Sequence, residues 1–249
     1  MVFLASVTAA SNTCSGLFGC GTVTDAFGEP LGPGGDDVTG DLIVRAGFRH
    51  GDTVLDVGCG QGRATGLMAA SGLCVTGIDP DADALRTAMR RVPNASFARA
   101  GGDALPIPDG AVDGVVAECV LSIMPDKSEA LAEWVRVLRP GGRLAISDVY
   151  ARQPKPVGDA PVRGGRVLSA EKLCGLITAS GLSITHFEDR SALLRSWVGR
   201  FIFRYGSLDA LWGDAGTAED MRRYALGYCM AIAEKPAREK PTEQQEKKT

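Results

Sequence analysis

The chain concentrates its chemistry in nine residues, Val54-Leu55-Asp56-Val57-Gly58-Cys59-Gly60-Gln61-Gly62, where an apolar strand candidate runs into three glycines at alternate positions. Glycine lets a backbone turn sharply and lets a ligand approach with no Cβ in the way. A helix-compatible segment over 63–71 follows. A helix start offers unpaired N–H groups and a positive dipole end to an anionic group. Asp79 closes the next apolar run, 74–79, where a carboxylate can accept from two ribose hydroxyls. A glycine loop followed by such an acid describes a nucleoside-containing cofactor at the carboxyl edge of a parallel sheet.

The glycine spacing separates candidate cofactors. A dinucleotide fingerprint reads G-x-G-x-x-G, with the third glycine allowing tight helix–strand packing. Here the pattern is G-x-G-x-G, and position 63 is Arg. The segment resembles the first motif of class I S-adenosylmethionine (SAM)-dependent methyltransferases, L-D-x-G-C-G-x-G, with Val57 and Gln61 filling the free positions. Two further segments resemble the group acting on quinones, metalloids and other small molecules. Gly102-Asp103-Ala104-Leu105-Pro106, followed by Pro108-Asp109-Gly110-Ala111-Val112-Asp113, is similar to G-D-A-x-x-L-P-F-x-D-x-x-F-D with a shortened spacer. Val137-Leu138-Arg139-Pro140-Gly141-Gly142 is similar to V-L-K-P-G-G. The resemblance covers residues 50–150 by motif and 165–234 by topology.

That resemblance implies a SAM cofactor and a role for each matching residue. Gly58, Cys59 and Gly60, with Gly62 completing the loop, are expected beneath the methionine part with their backbone exposed. Asp56 is expected to hold that end, through its ammonium or through the loop geometry. Asp79 should take the ribose hydroxyls, with Pro80 against the adenine face. Asp103 should accept from the adenine amino group while the Ala104 N–H donates to a ring nitrogen. Glu118 and Cys119, directly after the fourth strand, should border the sulfonium. Structural alternatives stand beside these roles: strand-end capping for Asp56 and Asp79, and turn formation for Asp103. Gly141 and Gly142 read as a helix C-cap, and Trp134 as core.

Methyl transfer is an in-line displacement at an already activated carbon, so alignment and a dry, shaped site are the main requirements. A base is needed only when the acceptor must lose a proton. No base is assigned. His50 and His186 read as surface or packing residues, while Asp148 and Tyr150, at the end of the fifth strand, are better placed but unspecific. The run from Glu118 to Lys127 and Ser147-Asp148-Val149-Tyr150 also resemble arsenite methyltransferases, which read C-V-I-N-L-V-P-D-K and S-D-V-Y there. Metalloid methylation through Cys174 with Cys14 or Cys20 is therefore an alternative, since soft metalloids favour thiolates. Against it, the surroundings of Cys174 match poorly and Cys229 falls inside the last strand. A SAM-binding subunit without turnover is a second alternative, and no metal site is assigned.

These residues need a scaffold. Helices are expected from Asp36 or Asp37 as cap to Ala46, over 63–71, from Asp81 to about Arg91, from a capping box at Asp126 to Leu138, over 169–180, over 191–205, and briefly near 218–223. Strands are expected over 53–57, 73–78, 96–100, 112–117, 143–149, 182–187 and 224–233. The alternation gives an α/β fold: a doubly wound, seven-stranded Rossmann-like methyltransferase sheet with helices on both faces. An N-terminal arm (1–36), a methyltransferase domain (37–234) and a polar, disordered tail (235–249) complete the division. The arm and 151–223 are expected to shape the acceptor pocket. Arg195, Arg200, Arg204 and Tyr205 read as a solvated helix face, or alternatively as an anionic-acceptor lining.

With 249 residues, 45% of them hydrophobic, the chain can bury a substantial core. A net charge of −3 gives no basic footprint, so a nucleic-acid partner is not expected. The seven cysteines are odd in number and scattered, unlike a disulfide framework. No basic stretch precedes Val2-Phe3-Leu4, and Ser11-Asn12-Thr13 before Cys14 does not fit a lipoprotein cleavage pattern. The expectation is a cytoplasmic protein with a small-molecule acceptor, no membrane partner, and an oligomeric state that the sequence leaves open.

Overall fold

The computed structural model describes residues 33–153, 160–162, 165–206 and 225–237. Cys14, Cys20, the expected short helix near 218–223 and most of the expected tail lie outside them. Along the chain run α1 (Gly35–Ala46), β1 (Thr53–Val57), α2 (Arg63–Ala70), β2 (Cys74–Asp79), α3 (Ala82–Arg91), β3 (Ser96–Arg99) and β4 (Val112–Glu118). Then follow α4 (Lys127–Val137), β5 (Leu138–Ala151), the hairpin strands β6 (Ala160–Val162) and β7 (Gly165–Val167), α5 (Ala170–Ala179), β8 (Ser183–Asp189), α6 (Ser191–Tyr205) and β9 (Leu226–Glu234).

Seven strands form one sheet in the order β3-β2-β1-β4-β5-β9-β8. The first five are parallel, and β9 runs antiparallel between β5 and β8. Val54, Leu55, Val115, Val116 and Ala117 are fully buried, as central parallel strands covered on both faces must be. One core joins the sheet to α1, α2 and α6 through Val38, Leu42, Met68 and Trp197; the other joins it to α4 and α5 through Leu131, Trp134, Leu173 and Ile177. Strand order reverses between β1 and β4, which leaves a crevice beyond their carboxyl ends.

Local signals set most boundaries. Asp81 accepts from the N–H groups of Asp83 and Ala84 to start α3, and Asp126 does the same for Ser128 and Glu129 at α4. Two expectations fail locally. Neither Asp36 nor Asp37 caps α1: both lie inside the helix, which begins at Gly35 and has a left-handed Gly34 as its cap. Asp36 is thereby freed to meet α2. Nor do Gly141 and Gly142 cap α4, whose cap is the extended Leu138. They lie inside β5, where the Gly141 N–H donates to the Lys235 carbonyl at 2.7 Å and the Lys235 N–H returns to Gly142 at 2.8 Å. Pairing with the distant β9 end wins there, because it satisfies two backbone groups that a helix cap would leave to water.

Candidate active site at the carboxyl edge

The loop after β1 is stitched to the end of β2. The Gly58 and Cys59 N–H groups both donate to the Ile78 carbonyl, at 2.7 and 3.0 Å, and the Gly60 N–H donates to Asp79 Oδ2 at 2.8 Å. The expected exposed donors at Gly58 and Cys59 are thus already used inside the protein. Cys59 turns its thiol inward against Gly77, where burial holds it protonated. Gly60 is left-handed (φ 53°), and a Cβ there would project into open space with nothing within 4 Å. Gly62, also left-handed (φ 79°), has the opposite reason to be glycine: a Cβ would lie 2.9 Å from the Ala88 Cβ and 3.1 Å from its Cα. The α2 helix that follows has no side-chain cap.

Asp56 acts from below. It is 2% exposed and accepts the Thr65 hydroxyl at 2.5 Å, which ties β1 to α2 across the loop. Burial pushes its carboxyl up to about 7 against the pull of the Thr65 hydrogen bond, with nearby Glu118 adding to the rise. Of the two roles expected for Asp56, this geometry serves the loop.

Asp79 stands at the rim of the crevice. Its Oδ2 takes the Gly60 N–H, its Oδ1 takes the Asp81 N–H at 2.8 Å, and each oxygen keeps a lone pair. Burial raises its carboxyl while the two N–H donors oppose the rise. Pro80 follows, exposed. Asp103 and Ala104 lie on the next rim, the loop after β3, both exposed. The Ala104 N–H donates weakly to the Gly101 carbonyl at 3.3 Å instead of standing unpaired. Trp134, fully buried, braces this loop by donating its indole N–H to the Gly102 carbonyl at 2.8 Å.

The end of β4 holds the densest polar cluster. Glu118 Oε1 accepts the Thr39 hydroxyl of α1 at 2.6 Å, and Oε2 accepts the Arg63 guanidinium at 2.9 Å. Arg63 also donates to Asp36 Oδ1 at 2.9 Å and to the Thr39 hydroxyl at 3.1 Å. Burial pushes the Glu118 carboxyl up, and Arg63 and Thr39 pull it back. Cys119 is one of two left-handed residues other than glycine among those described (φ 60°), a conformation that strains a side-chain-bearing residue. The consequence is geometric. Side chains alternate along a strand, but Cys119 turns back to the same face as Glu118 and packs on the α1–α2 core. Its thiol lies 3.6 Å from Tyr228 Oη, which reaches Ser147 Oγ at 2.9 Å.

Beyond Cys119, a 3-10 turn over Leu121–Ile123 is pinned from both sides. Asp148 accepts the Ser122 N–H at 2.8 Å, and Lys127 donates to the Ser122 and Met124 carbonyls at 3.1 and 3.0 Å. Asp148 is therefore a brace, its carboxyl raised by burial to about 6 despite the Ser122 hydrogen bonds. Tyr150 packs edge-on to Phe187, centroids 6.0 Å apart. His50 lies before β1, at the far edge of the sheet, and the His186 ring meets Glu188 at 3.1 Å. Arg195 and Arg200 are exposed. Among the described residues no three His, Cys, Asp or Glu side chains are grouped to hold a metal ion, and no helix is long and apolar enough to cross a membrane.

The sequence reading missed Thr39, Thr65 and Tyr228, which carry no motif of their own; Ser147 was noted only as the start of the S-D-V-Y run, with no role. Arg63 had a signal, since it stands where a dinucleotide loop would place its third glycine.

Residues 55–146 match the family described as "Methyltransferase domain". The chain is 30% identical over 230 residues to methyltransferase GfsG of Streptomyces halstedii, covering 84% of this chain and 83% of that protein. It is 31% identical over 218 residues to O-methyltransferase cnsE of Penicillium expansum, covering 81% and 78%. The crystal structure of the 4+2 cyclase SpnF superposes with a TM-score of 0.70 at 29% identity, covering 81% of this chain and 82% of that one. The shared sheet order, the glycine loop stitched to Asp79 and the near full-length likeness agree: the chain belongs to the class I S-adenosylmethionine-dependent methyltransferases acting on small molecules.

Proposed function

We propose that SAM lies over the crevice at the ends of β1, β2 and β4 and gives its methyl group to a hydroxyl oxygen of a small molecule. The observation that carries the cofactor position is the cradle at Gly60: open space above a left-handed glycine, rimmed by an Asp79 carboxylate already held by two backbone N–H groups. Main chain can approach a ligand there, and the remaining lone pairs of Asp79 suit a ribose diol. Bound SAM supplies an electrophilic methyl carbon on a sulfonium. The chain contributes a brace under the loop from Asp56 and Thr65, a rim at Pro80, Asp103 and Ala104, and half-buried walls at Glu118 and Cys119.

The hydroxyl acceptor follows the O-methyltransferase cnsE. Metalloid methylation finds less support among the described cysteines, because Cys59 and Cys229 are buried in the fold and Cys174, on α5, is itself only partly exposed. The likeness to SpnF favours a second reading: ring closure in a SAM-occupied pocket that leaves the sulfonium intact.

A turnover screen with methyl-labelled SAM against small alcohols, phenols, carboxylates, thiols and arsenite tests the proposal. Label on the oxygen of an alcohol or phenol supports it, and label only on a carboxylate or a thiol would overturn the hydroxyl acceptor. Label only on arsenic, or tight SAM binding with no transfer to any acceptor, would sink it in favour of the metalloid enzyme or the silent or cyclising protein.

A further inference from the structure

The Glu118 network is a construction that cofactor binding by itself does not require. Two donors from two different helices converge on one buried carboxylate, from positions 79 and 55 residues away in sequence. Strand register says where that carboxylate stands. Val57, the last residue of β1, pairs with Ala117, so Glu118 is the next position beyond the pairing, level with Gly58 at the mouth of the glycine loop. Arg63 is the first residue after that loop. The network therefore spans the loop, with Glu118 on the β4 side and α1 closing over it.

Burying an ionised carboxylate is costly unless it is paired and hydrogen-bonded. Glu118 is both, and its side chain is only 13% exposed. Counting Arg63 against Glu118 and Asp36 leaves one net negative charge, and Asp36, at 66% side-chain exposure, is screened by water. The Arg63–Glu118 pair is neutral in sum, and Glu118 is its negative and more deeply buried end, 13% exposed against 23%. SAM and its product S-adenosylhomocysteine (SAH) differ by one methyl group and one positive charge. A fixed, desolvated carboxylate separates them; packing alone does so poorly.

We infer that Arg63 and Thr39 are positioning residues that keep Glu118 ionised beside the sulfonium pole, so that the enzyme holds the charged methyl donor in preference to its neutral product. This rests on the cofactor position proposed above. The first result of the arrangement is faster exchange of spent cofactor: methyl transfer removes the cation, and the attraction to Glu118 goes with it. The second is a pH signature. Besides Arg63, the ionisable groups around Glu118 are Asp36 of α1, Asp56 of β1, Cys119 after β4 and Tyr228 of β9. Arg63 is the cation among them, so its removal takes away the pull that opposes burial and drives the Glu118 carboxyl further up.

Calorimetric titration of the full chain with SAM and with SAH, from pH 6 to 9, tests the inference. Glu118→Gln is expected to weaken SAM about tenfold and to leave SAH within about twofold. Arg63→Met should lower the SAM/SAH ratio most at the acid end of that range and regain it as pH rises, and Arg63→Lys should restore most of it. Thr39→Val should shift the ratio in the same direction by about threefold, with Thr39→Ser restoring it. Equal weakening of both ligands in Glu118→Gln or Arg63→Met would overturn the inference, because it describes a grip on the shared adenosyl or methionine part. An unchanged ratio would overturn it too. Asp79→Asn is the separate arm: it should weaken SAM and SAH alike. Wild-type protein binding neither ligand would remove the cofactor position itself, and circular dichroism of each variant separates loss of fold from loss of discrimination.

Discussion

The two halves of the crevice are built by different means. On the β1–β2 side, the contacts that shape the loop are local: Thr65 reaches Asp56 across 9 residues, and Gly60 reaches Asp79 across 19. On the β4–β5 side they come from afar. Thr39 meets Glu118 across 79 residues, Ser147 meets Tyr228 across 81, and Cys119 meets Tyr228 across 109. In the proposed reading the near half meets the demands of the adenosyl group, and it is compact enough to be written as a motif. The far half, in the same proposed reading, faces the methyl and the acceptor, and α1, α2 and the antiparallel strand β9 must first assemble around it. The cofactor grip can therefore stay constant while the reacting end is rebuilt by changes at remote positions.

Breaking the local half should give the largest effects. Gly62→Val forces a Cβ against the Ala88 backbone at a left-handed position. The cost is about 3 kcal/mol, or a melting temperature lower by roughly 6–12 °C, read by calorimetry. A valine that leaves the melting temperature unchanged would mean that the loop does not pack on α3.

Asp56 gives a pH-dependent counterpart. Its folded carboxyl titrates near 7, against an ordinary value of 3.8. Because the folded form holds the proton more tightly, the stability from protonated Asp56 is fully present below about pH 4 and is lost as pH rises through about 7. The unfolding free energy of wild type relative to Asp56→Asn should fall by an amount on the order of 4 kcal/mol across that window and stay flat above it. Using the difference between the two proteins removes the similar contribution of Asp148. A rise with pH would show that Asp56 is stabilised as the anion.

Asp79→Asn sharpens the comparison at the rim. Loss of a charged acceptor should weaken SAM and SAH together by about 10- to 100-fold. Tyr228→Phe probes the distant half and should be mildest. It strands the Ser147 hydroxyl, costing about 1 kcal/mol in urea unfolding, and should leave SAM affinity nearly unchanged. A loss of SAM binding as large as that of Asp79→Asn would erase the division between the two halves.

Sequence alone determined the parts whose cause lies within one element or between chain neighbours. The alternation of apolar runs and caps at Asp81 and Asp126 gave the seven strands of the main sheet and the helices between them, though not the β6–β7 hairpin, and the glycine spacing gave the class of cofactor, since a motif is a local demand on backbone shape. Tertiary structure decided what those residues do once assembled. Asp36 is a partner of Arg63 and not a cap, and Gly141 pairs with Lys235 and not with its own helix. Cys119 faces the same way as Glu118 because one φ angle reversed. Each of these depends on groups brought together across the sheet, where burying a polar atom forces it to find a partner that no linear spacing announces.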